Sequence, residues 1–228
     1  MKLKEEIVFL EIRQMIYAFL GSAFLNPPNS SQIQGILEQK LFVQFPLELD
    51  QADFLKGLKL LSRWTITNED SQLEDILSQL QQDYSNLFVG PGHLLAPPWE
   101  SVYLTDDKLT FGSPTLEVRE FFRKHGLEYE RINNDPDDHF GLEMEFMSKL
   151  IQMERHHLEN QNLEDAIRLS NEHLFFLQEH VMKWADRFTQ KVAEHAGTDY
   201  FQGLALLTRG YLTWDYELLQ NRISLSNS

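Results

Sequence analysis

Residues 134–145 read NDPDDHFGLEME, the densest run of chemistry-bearing side chains in the chain. Asp135, Asp137, Asp138, Glu143 and Glu145 surround His139 in sequence, with no lysine or arginine between them. Carboxylates at this density form a negative site suited to gripping a guanidinium pair bidentately. Pro136 keeps Asp135 extended. Asp137 or Asp138 is expected to cap the helix that follows, where acids suit its positive end. Capping by an acid leaves His139 unexplained: the helix dipole disfavours its charge, and Asp138 and Glu143 counter that. His139 and Glu143, four apart, share a helix face. With Asp138 they could hold a hard divalent cation, as in a helical metal-dependent hydrolase. Against that, no HExxH and no second His at helical spacing lies nearby. His156 and His157 are neighbours and point in different directions. His173 and His180 share a face that packing explains more simply.

A second stretch, residues 94–103, reads LLAPPWESVY. Trp99 and Tyr103 beside Glu100 give it the composition of a peptide-recognition surface. The plainer alternative is that Trp99 plugs the core beneath the loop. Nucleophilic catalysis finds no support, since there is no GxSxG and Ser101 has no His near it in sequence. Gly90-Pro91-Gly92 lacks the lysine and preceding strand of a phosphate loop. Cysteine is absent, which excludes disulfides, thiolate nucleophiles, Fe–S clusters and Cys-ligated zinc.

These residues need elements to hold them, and the periodicity is helical almost throughout. Val8, Phe9, Ile12, Met15, Ile16, Phe19, Leu20, Ala23 and Phe24 follow the 3.6-residue spacing until Pro27-Pro28 stops them. Ser30 or Ser31 is expected to cap a second helix, and Asp50 a third with Phe54, Leu55, Leu58 and Leu61 inward. A fourth begins near Asn68 and runs to Phe88. Ser113-Pro114 looks like a cap with proline at the first helical position, opening a helix that presents Leu116, Phe121 and Phe122 and ends near Gly126. The next carries Phe140, Met144, Met147, Leu150 and Ile151. A long helix from about Leu163 places Ile167, Leu174, Leu177, Val181, Trp184 and Phe188 on one face, and a last one starts at Asp199. No four residues alternate as a strand. Gly and Pro number only 11 and 8 of 228, too few for a turn-rich β fold. The expectation is an all-α fold: one domain over residues 1–228, a bundle of roughly eight to ten helices with a loop at 89–113 between its halves.

Acidic side chains number 35 against 20 basic, a net charge of −15. Such a surface repels phosphate backbones and anionic lipid, and attracts a basic peptide. Glu5, Glu6 and Glu11 deny the N-terminus a signal peptide's apolar core. The apolar stretch at 15–25 is too short to span a bilayer. The chain reads as cytoplasmic, with no nucleic-acid partner and no stable membrane insertion.

Tyr84-Ser85-Asn86-Leu87-Phe88 with Gly90-Pro91, then Pro97-Pro98-Trp99-Glu100-Ser101-Val102-Tyr103, then Asp135-Pro136-Asp137-Asp138-His139 resemble the TorD/DmsD family of chaperones for molybdenum-cofactor oxidoreductases. The family's last motif is usually Glu-Pro-x-Asp-His, and Asp135 here is one methylene shorter. The resemblance implies an all-α, cytoplasmic, non-catalytic protein without a cofactor of its own. It implies binding of a twin-arginine leader, and of the immature catalytic subunit of a molybdopterin enzyme, until the cofactor is inserted. Asp138 and His139 map onto positions implicated in leader recognition; Trp99, Glu100 and Tyr103 map onto the neighbouring loop. The expected peptide-binding set is therefore Trp99, Glu100, Tyr103, Asp135, Pro136, Asp138, His139 and Glu143, with no catalytic and no metal residues. The chain is expected to be a monomer or an exchanged homodimer, which the 89–113 loop would permit. A scaffold with an acidic face and no leader is the remaining rival.

Overall fold

Helix-forming periodicity decides the architecture. The computed structural model describes residues 3–90, 94–105, 110, 112–128 and 136–226, the side chains of 223–226 excepted. Among them every regular element is helical. The single β-type pairing among the described residues is an isolated antiparallel bridge between Trp99 and His139. The backbone gathers into two compact units: residues 1–25, 98–184 and 216–228 in the first, and 26–97 and 185–215 in the second.

In the first unit, α1 (Leu3–Leu25) packs along α7 (Phe140–Glu159). The two approach closely because glycines face each other. A Cβ on Gly141 would fall 2.8 Å from the Gly21 carbonyl oxygen and 2.7 Å from Leu25 Cβ. Leu10, Ile16, Tyr17, Leu20 and Phe24 are buried. α1 is also, by length and composition, apolar enough to cross a membrane, with a mean hydropathy of 1.4. The apolar stretch at 15–25 is shorter than this span because Glu11 and Arg13 bound it in sequence; the helix runs unbroken through both, and Arg13 is fully buried.

α5 (Glu100–Leu104) interrupts the loop expected over 89–113, and α6 (Ser113–Lys124) follows it. The cap of α6 is Gly112, so Ser113 lies one position inside the helix and Pro114 follows. α8 (Leu163–Phe176) ends in a one-turn π-helical stretch, Leu177–Val181, before α9 (Met182–His195). The single long helix expected there is therefore two, joined by a wider turn. Phe122, Phe146 and Phe176 form the aromatic centre, with Phe122–Phe146 and Phe146–Phe176 centroids 4.6 and 4.8 Å apart.

The second unit holds α2 (Ser30–Glu38), α3 (Ala52–Thr67) and α4 (Leu73–Tyr84). Asn29, one residue before the expected serines, caps α2 by accepting the Gln32 N–H at 3.0 Å. α3 starts after Gln51, without a side-chain cap. The helix expected from Asn68 to Phe88 begins at Leu73, and its last turn, Ser85–Val89, is π-helical. That turn buries Leu87 and Phe88, with the Phe88 ring 5.9 Å from Phe201. Asp83 accepts the Gly197 N–H at 2.9 Å and the Thr198 hydroxyl at 2.6 Å, fixing the turn before α10 (Asp199–Ser226).

Apolar periodicity overstates burial at several positions. Val8, Met15, Leu55, Leu116 and Ile167 are about half exposed. A helix packed on one side buries a stripe roughly 100° wide, and these residues lie at its margin.

Candidate peptide-binding site

The two sequence motifs meet in the first unit, joined first through backbone. The Phe140 N–H donates to the Pro98 carbonyl at 2.8 Å, and the Glu100 N–H to the Asp138 carbonyl at 3.0 Å. This clasp brings residues 98–100 against 138–140.

Asp138 then does something the sequence did not suggest. Its carboxylate Oδ2 accepts the Ser101 N–H at 2.8 Å, and Oδ1 accepts the Thr115 hydroxyl at 2.8 Å. Ser101 lies in the first turn of α5, whose own cap residue, Trp99, offers no side-chain acceptor. Asp138 therefore caps α5 from another segment and ties it to α6. The side chain is fully buried, and protein donors reach both its oxygens.

α7 is capped by His139, not by an acid. Its Nδ1 accepts the Gly141 N–H at 3.0 Å. An accepting Nδ1 is unprotonated, so the neutral ring carries its proton on Nε2. Burial pushes the His139 pKa down to about 3. The ring meets Trp99 edge-on at 5.8 Å and 80°. Pro136 is buried, and its carbonyl accepts the His139 N–H at 3.1 Å.

Asp137 is also spoken for. Arg119 of α6 reaches Oδ2 with Nε at 2.7 Å and Nη2 at 2.6 Å. The acidic run lacks basic residues in sequence, and α6 supplies one in space. Glu145 packs against Gly21 of α1, away from this group. Asp135 lies outside the described residues.

Two carboxyl groups sit deeper. Glu143 is fully buried, and its Oε2 accepts the Trp184 indole N–H at 3.3 Å. Its pKa is well above the ordinary range, because burial disfavours the charge and Glu100 and Asp138 repel it. Glu100, 1 % exposed, places Oε2 3.2 Å from His180 Nδ1. Its pKa is also raised, since burial outweighs the opposing pull of His180. The site thus keeps its acids inside, beneath a layer of half-buried aromatic and apolar groups. Trp99, Val102 and Tyr103 are half-buried, and Leu104 is exposed. The Tyr103 ring lies 5.3 Å from Trp184.

All described members of the expected set are therefore brought together. Thr115, Arg119, His180 and Trp184 complete the site without having been singled out for it. Ser113-Pro114 marks the start of α6, from which Thr115 and Arg119 could be read as its first-turn and next-turn residues. No sequence signal points to His180. Among the described residues, no three His, Asp or Glu side chains converge as metal ligands. Of the trio suggested for a metal, His139 spends Nδ1 on its cap and Asp138 both oxygens on Ser101 and Thr115.

A model of the nitrate reductase delta subunit family matches residues 48–190, which contain the whole site. The chain belongs to this family. The Tat proofreading chaperone DmsD of Salmonella paratyphi A is 30 % identical over 88 % of this chain and 87 % of its own. The chaperone protein TorD of Vibrio vulnificus is 26 % identical, over 95 % and 99 % of the two chains. A redox enzyme maturation protein from Archaeoglobus fulgidus aligns over 86 % and 91 % at a TM-score of 0.49 and 18 % identity. The TorD/DmsD resemblance read from the motifs and the all-α fold are thus shown. The hydrolase alternative finds no support in these relatives.

Proposed function

We propose that this chain is a cytoplasmic proofreading chaperone. It binds the twin-arginine leader of a molybdopterin-dependent oxidoreductase, together with the apo catalytic subunit, and holds both until the cofactor is inserted. It acts by capture and not by catalysis. Relatives named Tat proofreading chaperones support the reading. The observation that carries it is the buried Asp138–Ser101–Thr115 tie, which holds a five-residue helix carrying two half-buried aromatic side chains, Trp99 at its cap and Tyr103 within it. Trp99 and Tyr103 supply the apolar contact for the leader's hydrophobic run. Asp138 and His139 orient that surface from beneath. The arginines meet exposed carboxylates at its border, such as Glu117 of α6, which is close enough to act on Glu100.

Fluorescence anisotropy with a labelled leader peptide tests this. Replacing both arginines by alanine should weaken binding by about ten- to a hundredfold, since charge-assisted pairs contribute about 1.5–3 kcal/mol. Trp99→Ala should weaken it at every salt concentration. Equal binding with and without the arginines would move the leaderless scaffold to first place.

A further inference from the structure

The buried Glu100–His180 contact beneath α5 is more than packing. His180 lies in the π-helical turn Leu177–Val181, 5 % exposed, with its ring against Phe176 at 4.9 Å and Phe121 at 6.4 Å. A π turn holds one extra residue per turn and shifts the side chains that follow, and such turns concentrate at functional sites. Here it aims Nδ1 at Glu100, the first residue of α5. Asp138 before α7, Glu117 of α6 and Glu143 of α7 all repel charge on Glu100, and His180 attracts it. Trp184, on the next turn, donates to Glu143 and lies against Tyr103.

We propose that His180 is a positioning residue: it fixes Glu100 and, through it, holds α5 with Trp99 and Tyr103 in the binding arrangement. A five-residue helix has no stability of its own. A buried polar pair adds little stability beyond what apolar packing would give, and its best-attested use is to specify one arrangement. Among the described residues, α5 and the chain leading into it are anchored by the Pro98–Phe140 and Glu100–Asp138 backbone bonds, by the Asp138 cap and by the Glu100–His180 pair. The last of these reaches the α8–α9 junction, where Tyr103 also meets Trp184.

This inference rests on the peptide-binding reading above, and the experiment separates the two. Two readouts are taken on the full chain: leader-peptide anisotropy, and amide hydrogen exchange at residues 101–105 against residues 144–150 of α7. In His180→Ala, exchange at 101–105 should rise about tenfold and leader affinity fall about tenfold, the scale of one lost charged hydrogen bond. Exchange in α7 should stay unchanged. His180→Asn puts an amide nitrogen near the place of Nδ1 and should restore both readouts to within about threefold. If the wild type binds no leader but exchange follows this pattern, the functional reading falls and the positioning role stands. If the leader binds while exchange at 101–105 is unchanged in His180→Ala, or is not restored in His180→Asn, the positioning role falls. Should His180→Ala lose helical content, His180→Phe, which keeps a ring among Phe121 and Phe176 but cannot bond Glu100, is scored by the same readouts, and unchanged exchange at 101–105 there overturns the positioning role.

Discussion

At the scale of single residues, the site is a set of buried titratable groups whose protonation is tied to folding. His139 refuses, when folded, a proton that the unfolded chain takes up below its ordinary pKa of 6.5. Its contribution to stability is therefore complete above pH 6.5 and is lost as the pH falls from there towards about 3. Asn is among the best helix caps and does not titrate, so His139→Asn should keep the cap and remove this dependence; His139→Ala should cost about 1 kcal/mol. Urea unfolding near neutral and mildly acidic pH checks this. A wild type and His139→Asn that lose stability in parallel would show the ring is not the sensor. Glu143 has the opposite sign. Folded, it keeps a proton that the unfolded chain releases above pH 4.5, so its contribution is present below 4.5 and lost as the pH rises through its raised folded pKa. Glu143→Gln still accepts from Trp184 and never ionises. Its stability relative to wild type should grow with rising pH, by up to about 1.4 kcal/mol per unit. A constant difference as the pH rises from 4.5 to neutrality would mean that Glu143 ionises in the fold as it does in the unfolded chain.

At the scale of elements, the α1–α7 crossing sets the place of the α7 cap and so of His139 and Glu143. Gly141 lies one turn-start away from that cap and touches the α1 backbone. Gly141→Ala should force the helices apart and cost about 1–3 kcal/mol, the usual penalty of overpacking, read as a fall in thermal midpoint of about 2–4 °C per kcal/mol. An unchanged midpoint would show that the crossing yields freely. The helices themselves were legible in the sequence, because each carries an apolar stripe of the right period. Their ends were not: the cap of α2 sits one residue early, α5 hides among prolines, and two π turns cut helices that periodicity reads as continuous. A π turn adds one residue without altering the apolar character around it. The site was half legible. Trp99, Glu100, Asp138 and His139 stand in short motifs, whereas His180 and Trp184 reach them only through tertiary packing. Asp138 looked like a local cap and is instead the cap of a helix 37 residues away, which no local pattern reveals.

At the scale of the molecule, the net charge of −15 and the buried site do different jobs. Glu100, Asp138 and Glu143 are hidden, so they cannot be the charges a cationic leader meets first. Its attraction must come from the exposed carboxylates spread over the surface, and such a field steers encounter more than it holds the complex. Salt screens this field over about 10 Å at 0.1 M. The association rate constant for a twin-arginine leader should therefore fall steeply as salt rises, while dissociation, slowed by the apolar contact proposed at Trp99 and Tyr103 as well as by arginine–carboxylate pairs, should change less. A twin-lysine leader carries the same charge and should associate nearly as fast. It should leave faster, because lysine lacks the fork that pairs bidentately with a carboxylate. Trp99→Ala should speed dissociation and leave the salt slope of association untouched. Stopped-flow anisotropy at low and high salt separates these rates. A salt effect confined to dissociation would leave the surface field no part in capture.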